Sequence, residues 1–148
     1  FEATPQVANS AAELAGVLRT AHGSVELAAG DSTDNDIVML TPIPSNAAVP
    51  TLFVGSDTFG GSCTFNVGVY ETDGTVKDED VFATSVADAA AMADVRYEAA
   101  DLNTGSQKLW ELAGDSTDPG GYYYVAITFN ATGGTAGTLN WNISYVVD

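Results

Sequence analysis

The chain has 148 residues, and its 20 acidic side chains against four basic ones give a formal net charge of −16. Four cations cannot neutralise a polyphosphate, and carboxylates are repelled by anionic lipid, so we expect no nucleic acid and no membrane as partner. General acid–base and nucleophilic catalysis draw mainly on His, Cys and Lys, and the chain holds one His and one Cys. We therefore expect a chain that is not an enzyme, has no catalytic residues and needs no cofactor.

The first 22 residues (1–22) are predicted to form an N-terminal arm and a short helix. Residues 1–7 contain Pro5 and show no clear period, which is typical of an extended arm. Ser10 and Glu13 have capping-box spacing, and the helical spacing i, i+3, i+4, i+7 follows in four apolar residues: Leu14, Val17, Leu18 and Ala21. These signals predict a helix over residues 11–20, which either packs on its own domain or reaches a neighbouring subunit.

Residues 23–148 are predicted to form one β-domain. Short apolar runs between turn residues predict early strands at 24–27, 36–40, 51–54 and 63–70. The run from Ala83 to Ala93 is rich in alanine, which favours a short helix, although an ordered crossover would also fit. Farther on, residues 96–100 predict another strand, and residues 107–112 fit either a strand or a short helix.

Two hairpins are predicted. Thr72-Asp-Gly-Thr75 carries the Asp-Gly signal of a tight turn. Residues 123–129 and 139–147 alternate between apolar and polar side chains on either side of a glycine-rich loop, so we expect them to pair with each other. Seven or eight such strands predict a mainly β fold, an antiparallel two-sheet β-sandwich of the jelly-roll or Ig-like kind.

One acidic loop sequence occurs twice. AGDSTD stands at residues 29–34 and again at 113–118. Gly and Asp are common turn residues, so the repeat is best explained as the same kind of loop formed twice. Asp31, Asp34 and Asp36 are the weak candidates for a cation site, but their spacing is not that of a calcium loop, and we expect no metal.

The single His and the single Cys both favour structural roles. His22 stands where the predicted helix ends, and a cation is favourable at a helix C-terminus. Cys63 has no second cysteine to pair with, and its neighbours suggest a small buried side chain at a strand start.

Exposed apolar side chains are the candidates for a partner interface. Three consecutive tyrosines, residues 122–124, must face both sides of a strand, so at least one lies outside the core. The predicted interface takes one of these together with the apolar residues of the arm and helix: Phe1, Val7, Leu14, Val17, Leu18 and Tyr122.

Several stretches resemble small virion proteins of tailed bacteriophages, notably phages of marine bacteria, over most of residues 23–148. They are VELAAGD (25–31), DIVMLTPIPSN (36–46), NVGVY (66–70), TDGTVKDED (72–80), LWELAG (109–114) and DPGGYYY (118–124). The resemblance implies a head decoration or cement protein that is made in the host cytoplasm and lies on the capsid exterior. It also implies the major capsid protein as partner and a homo-oligomer, with a trimer favoured.

Two other functions stay open at this point. The chain could be a neck, tail or fibre component of the virion. It could instead be a surface carbohydrate-binding or adhesion module, because Trp141, Tyr145 and residues 122–124 could line a sugar-binding face.

Overall fold

The structure is a computed structural model that describes residues 16–89, 91–98 and 102–147. Eight β-strands make up most of it: β1 (Val17–Leu27), β2 (Ile37–Pro44), β3 (Ala47–Ser56), β4 (Thr64–Tyr70), β5 (Val76–Ala87), β6 (Ala93–Asp94), β7 (Tyr122–Phe129) and β8 (Gly137–Val147). Between β6 and β7 lie two 3₁₀ turns, at Val95–Glu98 and Leu102–Ser106, and one short helix, α1 (Leu109–Leu112). No helix in the described part of the chain is long and apolar enough to cross a membrane.

The strands form two antiparallel four-stranded sheets. Sheet I has the order β1-β8-β3-β6, and sheet II has the order β2-β7-β4-β5. The pairs β1·β8, β2·β7, β3·β6 and β4·β5 are nested, the first strand with the last and the second with the second-last. This nesting is what results when one long hairpin is rolled up, so the sandwich is an eight-stranded jelly roll. It resolves the choice between jelly-roll and Ig-like sandwiches.

The core lies between the two sheets. Leu52, Val54 and Ile143 of sheet I and Val67 and Ile127 of sheet II are at most 1% exposed. Burying each such side chain contributes roughly 1.5–3 kcal/mol to folding. Three phenylalanines close one end through edge-to-face contacts, with ring centroids 5.5 Å apart for Phe59–Phe129 and 6.1 Å for Phe65–Phe129.

The predicted helix over residues 11–20 is wrong where the structure describes it. Val17–Leu27 is a strand that pairs with β8 over eleven positions, and residues 11–15 lie outside the described residues. The apolar spacing that suggested a helix covers only four positions. Pairing with β8 along the whole strand is a tertiary interaction, and it overrides the local helical pattern. The division at residue 22 consequently falls inside a strand of the sandwich.

The predicted hairpin at the C-terminus is also wrong. β7 pairs with β2 and β4 in sheet II, whereas β8 pairs with β1 and β3 in sheet I. The loop between them crosses from one sheet to the other and is anchored on Phe59, whose carbonyl accepts hydrogen bonds from both the amide and the hydroxyl of Thr135. The Asp-Gly hairpin is confirmed, because β4 and β5 pair antiparallel across that turn.

The segment between β5 and β7 differs in part from expectation. Residues up to Ala87 continue β5, so the alanine-rich run forms neither a helix nor a crossover there. Val95–Glu98 is a 3₁₀ turn rather than a strand, and residues 99 and 100 lie outside the described residues. The helical alternative for residues 107–112 is confirmed by α1.

Candidate partner interface

The N-terminal end of β1 presents two exposed aliphatic side chains. Val17 is 67% exposed and Leu18 is 62% exposed. β1 is an edge strand of sheet I with β8 as its neighbour in the sheet. Unpaired edge strands attract other chains, and native proteins protect them with charges, prolines or covering segments. The start of β1 is therefore a surface from which binding a partner would remove apolar area from water.

A cleft opens beside this end of β1, where the edges of the two sheets meet. We call it the edge cleft. It encloses about 290 Å³. Its walls come from β1, β2, β7 and β8: Arg19, Pro42, Pro44, Tyr122, Tyr145 and Val147.

The proline positions follow from the place of β2 in the fold. Proline has no N–H to donate, so strands tolerate it at a sheet edge, and β2 is the edge of sheet II. Pro44 lies opposite Tyr122 and Pro42 lies opposite Tyr124 in the ladder with β7. The rings of Pro42, Pro44 and Tyr122 thus line the cleft, whose surface as a whole is more polar than apolar.

Arg19 gives the edge cleft a positive charge. Among the other basic residues, Lys77 forms ion pairs with Asp115 (2.9 Å) and Glu71 (3.3 Å). Arg96 is 2% exposed, and its guanidinium lies 5.0 Å from the centre of the Phe82 ring. Arg19 is exposed and has no ion pair within the described residues. An acidic or apolar segment of a partner would find a matching surface here.

The structure brings some of the predicted interface residues together and separates others. Val17 lies opposite Val147, a wall of the edge cleft, and Tyr122 lines that cleft directly. Leu18 lies opposite Val146 and faces the other side of sheet I. The remaining predicted members, Phe1, Val7 and Leu14, lie outside the described residues.

The tyrosine run divides between core and surface as expected. Tyr122 is 59% exposed and Tyr123 is 2% exposed. The Tyr123 hydroxyl donates to a carboxylate oxygen of Asp115. Burial, and then this carboxylate, raise the pKa of Tyr123 above its ordinary range. Tyr122 therefore remains the interface candidate, while Tyr123 serves the fold.

The acidic loop after β1 uses its carboxylates for its own turns. Asp31 accepts from the amide of Ala28 (2.9 Å), and Asp36 accepts from the amide of Thr33 (2.8 Å) and from its hydroxyl. The Thr33 hydrogen bonds lower the pKa of Asp36. The third metal candidate, Asp34, contacts Thr132 through its backbone amide. Within the described ranges, no three His, Cys, Asp or Glu side chains are grouped so as to hold a metal ion.

The second copy of the loop sequence has different contacts. Asp115, which corresponds to Asp31, binds Lys77 and Tyr123. Asp118, which corresponds to Asp34, accepts from the Ser45 hydroxyl (2.6 Å) and from the amide of Gly120 (2.9 Å). The two copies thus stabilise their turns through different partners, as two unrelated loops would.

The single His and the single Cys lie in different parts of the fold. His22 is exposed on β1 and does not end a helix, which corrects the helix-capping prediction. Cys63 is 1% exposed and donates from Sγ to the carbonyl of Ala131 (3.1 Å), so its prediction as a small buried side chain is confirmed. Burial raises the pKa of the Cys63 thiol, which keeps it protonated and unreactive near neutral pH.

Sheet I also has an open face that the sequence alone did not single out. Side chains that alternate with the core residues of β1, β3 and β8 point outward, and apart from the buried Ala48 and Val146 they are partly or fully exposed. We define the outer face of sheet I by eight of them: Thr20, His22, Ser24, Thr51, Phe53, Asn140, Asn142 and Ser144. The alternation of Asn140, Asn142 and Ser144 with apolar residues was visible, but polar alternation is also what any solvent-facing strand shows.

Two of the solved structures to which the chain is similar are bacteriophage capsid structures. No protein-family model and no curated protein sequence matches the chain. A chain in the cyanophage Pam1 capsid asymmetric unit is similar at 17% identity, with a TM-score of 0.46 over 97% of this chain and 94% of that one. A chain in the acidic stable capsid structure of Helicobacter pylori bacteriophage KHP30 is similar at 14% identity, with a TM-score of 0.35 over 88% of this chain and 94% of that one.

Proposed function

We propose that the chain is a structural protein of a bacteriophage virion, a decoration protein that binds the outer surface of the head and stabilises the shell. The observation that carries the proposal is the gathering of exposed apolar side chains at one end of a jelly roll. Val17 and Leu18 start β1, and Tyr122 lies in the adjoining edge cleft. β1 begins at this same end, and the other predicted interface residues, Phe1, Val7 and Leu14, precede it in the sequence.

The charge supports a place outside the shell. Packaged DNA is a dense polyanion, and a chain with a net charge of −16 has too few cations to bind it. On the exterior the same charge keeps the decorated particle soluble and keeps particles apart. The major capsid protein is accordingly the partner in this proposal, and copies of the chain cluster on it, with three-fold clusters favoured.

The test measures binding to heads that lack this protein. A fluorescently labelled full-length chain is added to such heads, the particles are sedimented, and bound copies are counted. We expect Tyr122→Ser and Leu18→Ser each to weaken binding at least tenfold, because interface anchors cost about 2 kcal/mol or more when truncated. Val76→Ser is the matched control, since Val76 is 45% exposed but lies on β5, the edge of sheet II that is opposite to the cleft-lining strand β2.

The same particles distinguish the other functions. Electron microscopy of the labelled copies shows hundreds of sites over the head for a decoration protein, and a few sites at one vertex or along the tail for a neck, tail or fibre component. A glycan array tests the carbohydrate-binding module. In that alternative, Trp141 and Tyr123 are not available to stack against a sugar, because they are only 9% and 2% exposed. Equal binding by all three variants and the original chain would reject the proposed interface.

A further inference from the structure

We propose that the outer face of sheet I is where a second copy of this chain docks. The inference concerns contacts between copies and does not depend on binding to a shell. It starts from the distribution of charge. None of the eight side chains that define this face is a carboxylate, in a chain that has 20 of them.

The face consists of cross-strand rows that contain no carboxylate, lysine or arginine. Register places Thr20, Ser144 and Thr51 in one row, and His22, Asn142 and Phe53 in the next. Ser24 and Asn140 continue it toward the acidic end of the sheet.

Carboxylates appear at the rim of this face. Glu26 accepts from the hydroxyl of Thr138 (2.6 Å), and Asp57 accepts from the amide of Thr138 (3.0 Å). Asp94, beside Phe53 on β6, accepts from the amides of Leu52 (3.2 Å) and Arg96 (3.1 Å). A neutral centre with charges at its margin is the usual composition of a protein–protein interface.

On the opposite face of the sandwich, the chain itself covers the centre of sheet II. On the outer side of sheet II, Asn66, Tyr70 and Thr128 are at most 6% exposed. The backbone of β5 passes so close to β4 that a Cβ at Gly68 would lie 2.1 Å from the carbonyl oxygen of Asp78. That side presents the exposed acids Glu79 and Asp80. Sheet I therefore offers the open and uncharged surface of the two.

The chemistry of this face is complementary to itself. Serine and threonine hydroxyls and asparagine amides each both donate and accept hydrogen bonds, so such a face can pair with an identical one without leaving buried groups unpaired. This two-fold contact is separate from the three-fold clusters proposed on the shell. Two acidic surfaces brought together would place carboxylates against carboxylates and repel. The charge of the chain thus selects this face when copies meet.

Apolar groups on and beside the face supply area to bury. Phe53 is 37% exposed and Met92 is 48% exposed. A shallow concavity of about 380 Å³, lined in part by His22, Met92, Asn140 and Asn142, gives an apolar side chain of the other copy a recess to enter. Methionine and aromatic residues are enriched at such interfaces.

The area of the face indicates how strong the contact is and which protein concentrations are needed to measure it. Three strands about 4.8 Å apart and about eight residues at about 3.3 Å give a footprint of roughly 14 by 26 Å. This is below the ~800 Å² per partner of a standard stable complex. We expect a contact of micromolar strength, visible by sedimentation velocity between ~1 and ~500 µM.

The test is the concentration dependence of the full-length chain's mass. We expect association that Asn142→Asp and Ser24→Asp, both exposed on this face, each weaken at least tenfold. Thr117→Asp is the matched control, because it adds the same charge at an exposed loop position away from the face and should leave association unchanged. Circular dichroism establishes that the variants are folded.

The salt dependence of self-association is an independent test. A neutral contact between copies of charge −16 strengthens when distant repulsion is screened, so association should be tighter in 0.5 M than in 0.05 M NaCl. A chain that stays monomeric at ~500 µM, association that the face variants leave unchanged, or association that salt weakens would each overturn the proposal. Head binding by a monomeric Asn142→Asp variant is scored separately, so the two proposals can fail independently.

Discussion

Gly23 and Trp141 show how one residue pair closes the edge of the sandwich. They lie opposite each other in the β1·β8 ladder. A Cβ on Gly23 would lie 2.5 Å from Cζ2 of the Trp141 ring. The ring is held in place, because its Nε1–H donates to the hydroxyl of Thr41 across the two sheets (2.9 Å). The indole ring of Trp141 thus occupies the space that a side chain at residue 23 would need.

We expect Gly23→Ala to destabilise the protein by about 1–3 kcal/mol, the usual cost of overpacking. Chemical denaturation followed by tryptophan fluorescence measures it. Gly105→Ala is the control, because a Cβ there finds its nearest atom at 4.0 Å, and a compatible Gly→Ala change is neutral or stabilises by about 0.4–1 kcal/mol. In a Trp141→Phe background the cost of Gly23→Ala should shrink. An equal cost in both backgrounds would show that the indole is not the obstacle.

At the scale of single elements, strand prediction succeeded where apolar and polar residues alternate along the strand. It failed where the backbone departs from a regular ladder. β4 and the turn at residues 72–75 follow from alternation and the Asp-Gly pair. β5 does not, because its ladder with β4 slips: Val67 pairs with Ala83, and Val69 already pairs with Asp78. The extra residues form a bulge over Gly68. Alanine propensity cannot reveal this, since the bulge depends on which backbone lies beneath it.

A polar cluster joins three elements at the acidic side of the molecule. Lys77 at the start of β5 binds Asp115, which follows α1, and Asp115 accepts from Tyr123 on β7. Lys77, and then Tyr123, lower the pKa of Asp115, while Asp115, and then Glu71, raise the pKa of Lys77. The cluster fixes the loop that leads from the helix back into sheet II.

The cluster predicts how stability falls in acid. A carboxyl whose pKa is lower in the folded protein stabilises it above the unfolded value of 3.8, and that contribution is lost as pH falls through the folded pKa. We expect Asp115→Asn to be less stable than the original chain at pH 7 and to lose less of its stability between about pH 5 and 2. Urea denaturation across that range measures both slopes.

Asp34→Asn is the control for the cluster, because it removes the same charge from an exposed loop whose side chain has no hydrogen bond to other described residues. Parallel acid slopes for the original chain and for Asp115→Asn would contradict the assignment.

At the scale of the whole molecule, the fold class could be predicted but the connectivity could not. Alternation tells which face of a strand is buried, and in a sandwich every strand faces the same core. The pattern of β7 and β8 is therefore equally compatible with a hairpin and with strands in opposite sheets. The candidate interface could likewise be predicted only in part from the sequence. Tyr122 was identifiable from three consecutive tyrosines, whereas Arg19, Pro42 and Tyr145 become neighbours only when the roll closes.

The global charge predicts a response to salt that no single contact would give. Four basic residues can pair with only a few of the 20 acidic ones, so most of the carboxylates have no cationic partner and repel one another. Raising NaCl from 0.01 M to 0.15 M shortens the screening length from about 30 to about 8 Å. Screening should stabilise the compact state, because folding brings the carboxylates closer together than they are in the unfolded chain.

We expect Tm to rise by at least about 2–4 °C, the shift that roughly 1 kcal/mol gives in a domain of this size. Differential scanning calorimetry in NaCl measures it, with chloride chosen because sulfate stabilises proteins by exclusion from their surface. The variant Asp78→Asn, Glu79→Gln, Asp80→Asn removes three neighbouring charges and should start from a higher Tm and respond less to salt. A Tm that falls with salt would mean that attraction around Lys77 outweighs the repulsion of all the other acids.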